Sequence, residues 1–111
     1  MSLPTLSPEA RANALEKAAA TRRARAEFKK SVADRELTAV EALGKALDDD
    51  LLSGMRVDHF LRSLPGVGKV RAAKAQEEIG ISDARRIRGM GGRQIEKLRE
   101  ICRLTDETYD A

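Results

Sequence analysis

The sequence predicts an all-α chain, and three observations carry that expectation. No stretch alternates apolar and polar residues as a half-buried strand would. Helix-start signals recur, at Ser7-Pro8-Glu9 and at Thr38-Ala39-Val40-Glu41. Between clusters of glycine and proline, apolar residues fall at helical spacing, most cleanly at Val57, Phe60, Leu61 and Leu64.

The first helix is expected over residues 8–33. Ser7 supplies a capping hydroxyl, Pro8 suits the first helical position, and Glu9 faces the positive end of the helix dipole. The segment that follows is rich in alanine and free of glycine and proline. Its apolar stripe, Leu15, Ala19, Ala26 and Val32, is weak, so most of the helix is expected to be wet and to project. Thr38 and Glu41 form a capping box that opens a short helix through about Leu47. Asp48-Asp49-Asp50 reads as the cap of a further helical piece ending at Gly54, since adjacent carboxylates without a partner elsewhere do not make a metal site.

The Val57–Leu64 helix is broken by Pro65-Gly66. The next begins near Gly68 and runs to Ile79, with Ala72, Ala75 and Ile79 inward, Arg71, Lys74 and Glu78 outward, and Gly80 as its C-terminal cap. Ser82-Asp83 starts another helical turn, broken by Gly89, Gly91 and Gly92. The final helix spans about 93–103, burying Ile95, Leu98 and Cys102, and the acidic tail is expected to fray.

Composition excludes several classes. With two phenylalanines, one tyrosine and no tryptophan in 111 residues, the core is thin and a deep small-molecule pocket is not expected. Cys102 is the sole cysteine and His59 the sole histidine, which rules out an internal disulfide and leaves no zinc ligand set. No cofactor is implied. The N-terminal segment holds no unbroken apolar run, so neither a signal peptide nor a membrane span is expected, and the protein is placed in the cytoplasm. Charge is distributed in blocks. Residues 1–30 hold seven basic against three acidic side chains, residues 31–60 three against seven, and residues 61–105 eleven against five. Cationic blocks of this kind point to a polyanionic partner.

Two glycine corners focus that reading. Leu64-Pro65-Gly66-Val67-Gly68-Lys69 and Ile87-Arg88-Gly89-Met90-Gly91-Gly92-Arg93 share one pattern, and each precedes a helix. The first turn of a helix leaves N–H groups without carbonyl partners, and together with the helix dipole they attract an anion. Gly66 and Gly68 remove the Cβ atoms that would hold a phosphate away, Val67 anchors the corner, and Lys69 adds a full charge. A plain helix–helix turn would explain Pro65 and one glycine but not the second glycine or Lys69. A nucleotide-binding P-loop fails, because Ser63 stands where its first glycine belongs and Val70 where its hydroxyl belongs. Arg85, Arg86, Arg88 and Arg93 form the densest basic run, suited to phosphate by the planar guanidinium fork.

These stretches, FLRSLPGVGKVRAAKAQEEIGI and ARRIRGMGGRQIEKLREI, resemble the helix–two-turns–helix module of the S13-like superfamily. With the N-terminal LSPEARANALEKAAATRRARAEFKK, the chain from about residue 3 to 104 resembles the actinobacterial integration host factor family. The chain is expected to divide into an N-terminal arm and short helix over 1–50 and a DNA-binding domain over 51–105, with a flexible tail over 106–111 to which the resemblance does not extend. The resemblance implies a non-enzymatic architectural protein of the nucleoid that binds double-stranded DNA with little sequence preference, shapes it, and assists phage integration; a monomer is expected, though the resemblance does not carry that expectation. The hairpin that grips the backbone matches Gly66, Val67, Gly68 and Lys69, and the arginine cluster matches Arg85, Arg86 and Arg88. Arg71, Lys74 and Arg93 complete the candidate surface from their own charge and position. The alternative is a structured-RNA binder on the same module. A glycosylase would need an N-terminal proline and a second domain, and here Pro4 is internal. An adaptor role of the alanine-rich helix is a further reading.

Overall fold

A computed structural model describes residues 7–109, and within them every regular element is helical. α1 is Pro8–Ala33, α2 Ala39–Asp48, α3 Asp50–Ser53, α4 Val57–Ser63, α5 Lys69–Ile79 and α6 Gly92–Tyr109, with a 3-10 turn at Ile87–Gly89 before α6. No helix among the described residues is long and apolar enough to cross a membrane. Pro4 lies outside them.

The capping signals act as their chemistry requires. Ser7 Oγ accepts the Ala10 N–H at 3.1 Å. Thr38 and Glu41 close the reciprocal box, both bonds at 3.0 Å. Asp49 Oδ1 accepts from Leu51 N–H at 2.8 Å and Leu52 N–H at 3.3 Å, so the middle aspartate of the triplet is the helix cap. Gly80 closes α5 in the left-handed region, with φ 85°.

One core joins all the helices. Leu43 and Ala46 of α2, Leu52 of α3, Phe60 and Leu61 of α4, and Leu98 and Cys102 of α6 are buried in a single cluster with Ile87. Burial pushes the Cys102 thiol up to about 12, and Asp106 adds to the shift, as fits a small core residue and not a reactive one.

Three expectations need correction. The α1 stripe is not Leu15, Ala19, Ala26 and Val32, because Leu15 is 65% exposed and Ala26 is also exposed. Phe28 and Val32 dock the helix instead, with the Phe28 ring stacked on Phe60 at a centroid distance of 6.3 Å. Residues 11–18 touch nothing that covers them, and the molecule is correspondingly elongated, 55 × 29 × 23 Å.

Ser82-Asp83 makes only a turn, and the helical geometry appears later as the short 3-10 piece. The last helix does not stop near residue 103: α6 continues to Tyr109, into the segment expected to be tail, of which only residues 110–111 lie outside the described residues.

The physical reason for this extension is Asp106, whose two carboxylate oxygens accept the N–H groups of Ala39 at 2.6 Å and Val40 at 3.1 Å. Residue 106 thus caps the N-terminus of α2 from another helix, where carboxylate and dipole attract. Replacing Asp106 with Ala is expected to cost about 1–2 kcal/mol of unfolding free energy, and Asp106→Asn less, as read from urea denaturation.

Candidate nucleic-acid interface

The first corner is a tight turn with a strict backbone requirement. Val67 N–H returns to the Leu64 carbonyl at 3.1 Å, and Gly66 has φ 79°. Proline at the second position and a positive φ at the third are the marks of a type II turn. Val67 is half-buried against the core, while Gly66, Gly68 and Lys69 are exposed. Gly68 is the N-cap of α5 and no side chain caps that end, so its first N–H groups are open to a ligand. A Cβ added at Gly68 would meet nothing within 4 Å. The fold does not require glycine there, and the space it leaves faces outward. Val70, one position further, is 82% exposed. It is an apolar prong beside the open amides that sequence reasoning passed over, because it was read only as a failed P-loop hydroxyl.

The second corner has the same letters and a different backbone. Among the described glycines only Gly66 and Gly80 have positive φ, so Gly89, Gly91 and Gly92 are not there for a left-handed turn. Gln94 Oε1 reaches back to the Gly91 N–H at 3.0 Å, so the start of α6 is partly capped from within. The corner's distinction is the arginine run it carries.

Val57 N–H donates to the Arg85 carbonyl at 2.9 Å and Ile87 N–H to the Met55 carbonyl at 2.9 Å, a lone antiparallel bridge that pairs Arg56 with Arg86. It holds the arginine segment against the start of α4. Arg85 Nη1 folds back onto the Gly89 carbonyl at 2.8 Å, and Arg86 Nη1 donates to the Gly54 carbonyl. Arg25, from α1, donates through Nε to the Leu51 carbonyl at 2.9 Å. A Cβ at Gly54 would stand under 3.0 Å from Nη2 of both Arg88 and Arg25, so the two guanidinium tips converge over this glycine.

No carboxylate joins them, since the ion pairs among the described residues are Lys30–Asp34, Arg62–Asp58 and Arg103–Glu107. Arg25 registers the crowding. Its pKa is lowered first by burial and then by the charges of Arg86 and Arg88. A guanidinium stays protonated under such pressure, so the cluster keeps its charge and lacks a counterion.

The predicted residues are therefore divided into groups. Arg86 and Arg88 come together with Arg25, one of the basic residues Arg22, Arg23, Arg25, Lys29 and Lys30 of α1 whose spread around the helix does not single it out in the sequence. What does so is the spacing of Arg25, Phe28 and Val32, which follow i, i+3, i+7 and share the docked face of α1. Arg71 and Lys74 line a groove between α5 and α6 beside Val67, Ile101 and Leu104, away from that cluster. Lys69 crowns the open turn, and Arg93 stands exposed in the first turn of α6.

Ala at Gly66 is expected to lower stability by about 1 kcal/mol through the left-handed backbone, while Ala at Gly68 leaves the thermal midpoint unchanged. Calorimetry on the two variants distinguishes the position the fold constrains from the one it leaves free.

A family model for the S13-like H2TH domain matches residues 32–101. The integration host factor of Streptomyces coelicolor is 49% identical over 98 residues, covering 88% of this chain and 92% of that protein. The integration host factor of Mycobacterium tuberculosis is 46% identical over 100 residues, covering 90% and 95%. The solved structure of sIHF bound to an 8bp palindromic DNA superposes with a TM-score of 0.71 at 44% identity, covering 78% of this chain and 97% of that one. On the match of module, length and helix order, the chain belongs to the actinobacterial integration host factor family, built on an S13-like H2TH domain.

Proposed function

We propose that the protein is a sequence-tolerant binder of double-stranded DNA, an architectural component of the nucleoid that grips the phosphate backbone at two corners. The observation that carries this reading is the convergence of Arg25, Arg86 and Arg88 without a carboxylate partner. Like charges gathered at a small protein's surface cost stability, and an incoming anion offsets that cost. The relatives' name and the DNA in the solved neighbour support the same partner.

The two grips stand at opposite ends of α4. The arginine segment is bonded at Met55 and Val57, and the hairpin begins where α4 ends, at Leu64. Seven helical residues rise about 10 Å, comparable with the width of a duplex groove. One grip on each side of a groove holds a duplex without reading its bases, because phosphate contacts position and do not specify. Val70 adds apolar surface for a sugar face at the same place. The proposal extends to action as a monomer, with Arg71, Lys74 and Arg93 as flanking contacts, and to shaping the DNA on which a phage integrase works.

With about five phosphates neutralised, log K is expected to fall against log salt with a slope of about −4 to −5. Lys69→Glu combined with Arg86→Glu weakens binding to unrelated duplexes by the same factor, and Arg25→Ala makes the slope shallower by about 1. Gel shifts across a salt series read all three, with structured RNA as competitor. Affinity that does not respond to salt refutes the mechanism.

A further inference from the structure

Between the two grips, α4 turns a cationic face to solvent. Arg56, His59 and Arg62 follow one another at three-residue intervals and all are exposed. Across from them Lys29 of α1 completes, with Ala33 and Ser63, a shallow open groove of about 430 Å³ lined by His59 and Arg62. Ser63 Oγ donates to the Phe60 carbonyl at 2.6 Å, so its proton is engaged. The donors left to a ligand are the Lys29 ammonium, the His59 ring and the Arg62 guanidinium.

The negative charge acting on His59 is Asp58, and it is already held. One of its oxygens accepts Gln76 Nε2 of α5 at 3.1 Å, and the other accepts Arg62 Nη1 at 3.4 Å. Burial, then Lys29, and to a smaller extent Arg56 and Arg62, lower the His59 pKa from its ordinary value, against the opposing pull of Asp58. In the free protein the ring is therefore neutral at pH 7, with one nitrogen lone pair that repels an anionic oxygen. An anion seated among these cations reverses the field at the ring.

We propose that the α1–α4 groove is a further phosphodiester site in which His59 takes up a proton when a backbone phosphate of duplex DNA seats between Lys29 and Arg62. The proposal rests on the duplex-binding reading above and adds a pH response to it. Bound DNA favours the imidazolium and the free protein disfavours it, so each bound complex carries up to one extra proton. Affinity then rises as pH falls through the bound-state value. The gain ends below the depressed free-state value, where both states are protonated.

His59 is the sole histidine, so its ring resonances titrate without overlap in the intact chain. The test is an NMR titration from about pH 5 to about pH 8 at constant ionic strength, for the protein alone, with saturating duplex, and with inorganic phosphate. The imidazole pKa is expected to rise by about one unit with duplex. Gel shifts over the same range are expected to show about fivefold tighter binding at the acid end. His59→Lys, with a fixed charge, binds at neutral pH as tightly as the parent does at the acid end, and His59→Gln stays at the weaker level throughout.

A shift with duplex alone assigns the groove to the DNA backbone. A shift with inorganic phosphate as well supports the same phosphate chemistry, with the free ion as a second source. Duplex that binds without moving the imidazole overturns this site and leaves the two-corner reading intact. Duplex that does not bind overturns both.

Discussion

Two backbone hydrogen bonds, Val57 N–H to the Arg85 carbonyl and Ile87 N–H to the Met55 carbonyl, fix where this protein can present its charge. Without them the segment after α5 would be a free loop with arginines at variable positions. With them, Ile87 is buried in the core and Arg86 is locked over the end of α3. The same bonds make α4 a ruler, because the arginine segment is attached at its start and the glycine hairpin at its end. Under the proposed two-corner grip, the seven-residue helix supplies the fixed spacing between the contacts.

The cost of that arrangement is visible in the packing. Three guanidiniums meet around Gly54, and Arg25 is pressed by the charges of the other two. Carbonyl oxygens of Leu51 and Gly54 accept from two of them, so hydrogen bonds to neutral acceptors take the place of carboxylates. A carboxylate here would stabilise the free protein and compete with an anionic ligand. The stabilising acids are placed elsewhere: Asp49 and Glu41 at helix starts, and Asp106 bridging α6 to α2. The acidic excess of residues 31–60 is spent largely on such capping and surface roles, outside the cationic faces.

The helices were legible because their starts are written in short-range chemistry. Ser7, Thr38 and Asp49 act on amides two or three residues away, and the spacing of Val57, Phe60, Leu61 and Leu64 needs no tertiary information. What the sequence concealed depended on contacts between distant residues. Asp106 looked like part of a loose acidic tail because its partners, Ala39 and Val40, lie 67 and 66 positions away. Gln76 was not expected inside, yet it is buried with Nε2 bonded to Asp58 of α4 and to the Ala72 carbonyl. Arg25 was hidden among exposed arginines, and only the docking of Phe28 on Phe60 singles out its face. The likeness of the two glycine corners was misleading in detail, since identical spacing produced a left-handed turn at one and a 3-10 turn at the other.

That contrast separates two reasons for glycine that a sequence cannot tell apart. Gly66 is required by the chain itself, because a side chain at φ 79° is strained. Gly68 has an extended backbone and open space where its Cβ would be, so no packing contact disfavours a larger residue, although glycine suits the N-cap it occupies. Under the proposed reading, the open space at Gly68 leaves room for a backbone phosphate. Val70 is an apolar side chain left 82% exposed next to a charged lysine. Both positions lie at the first turn of α5, which no side chain caps. The open space at Gly68 and the exposed Val70 thus support the proposed phosphate grip beside the arginine cluster, at a helix N-terminus open to an anion.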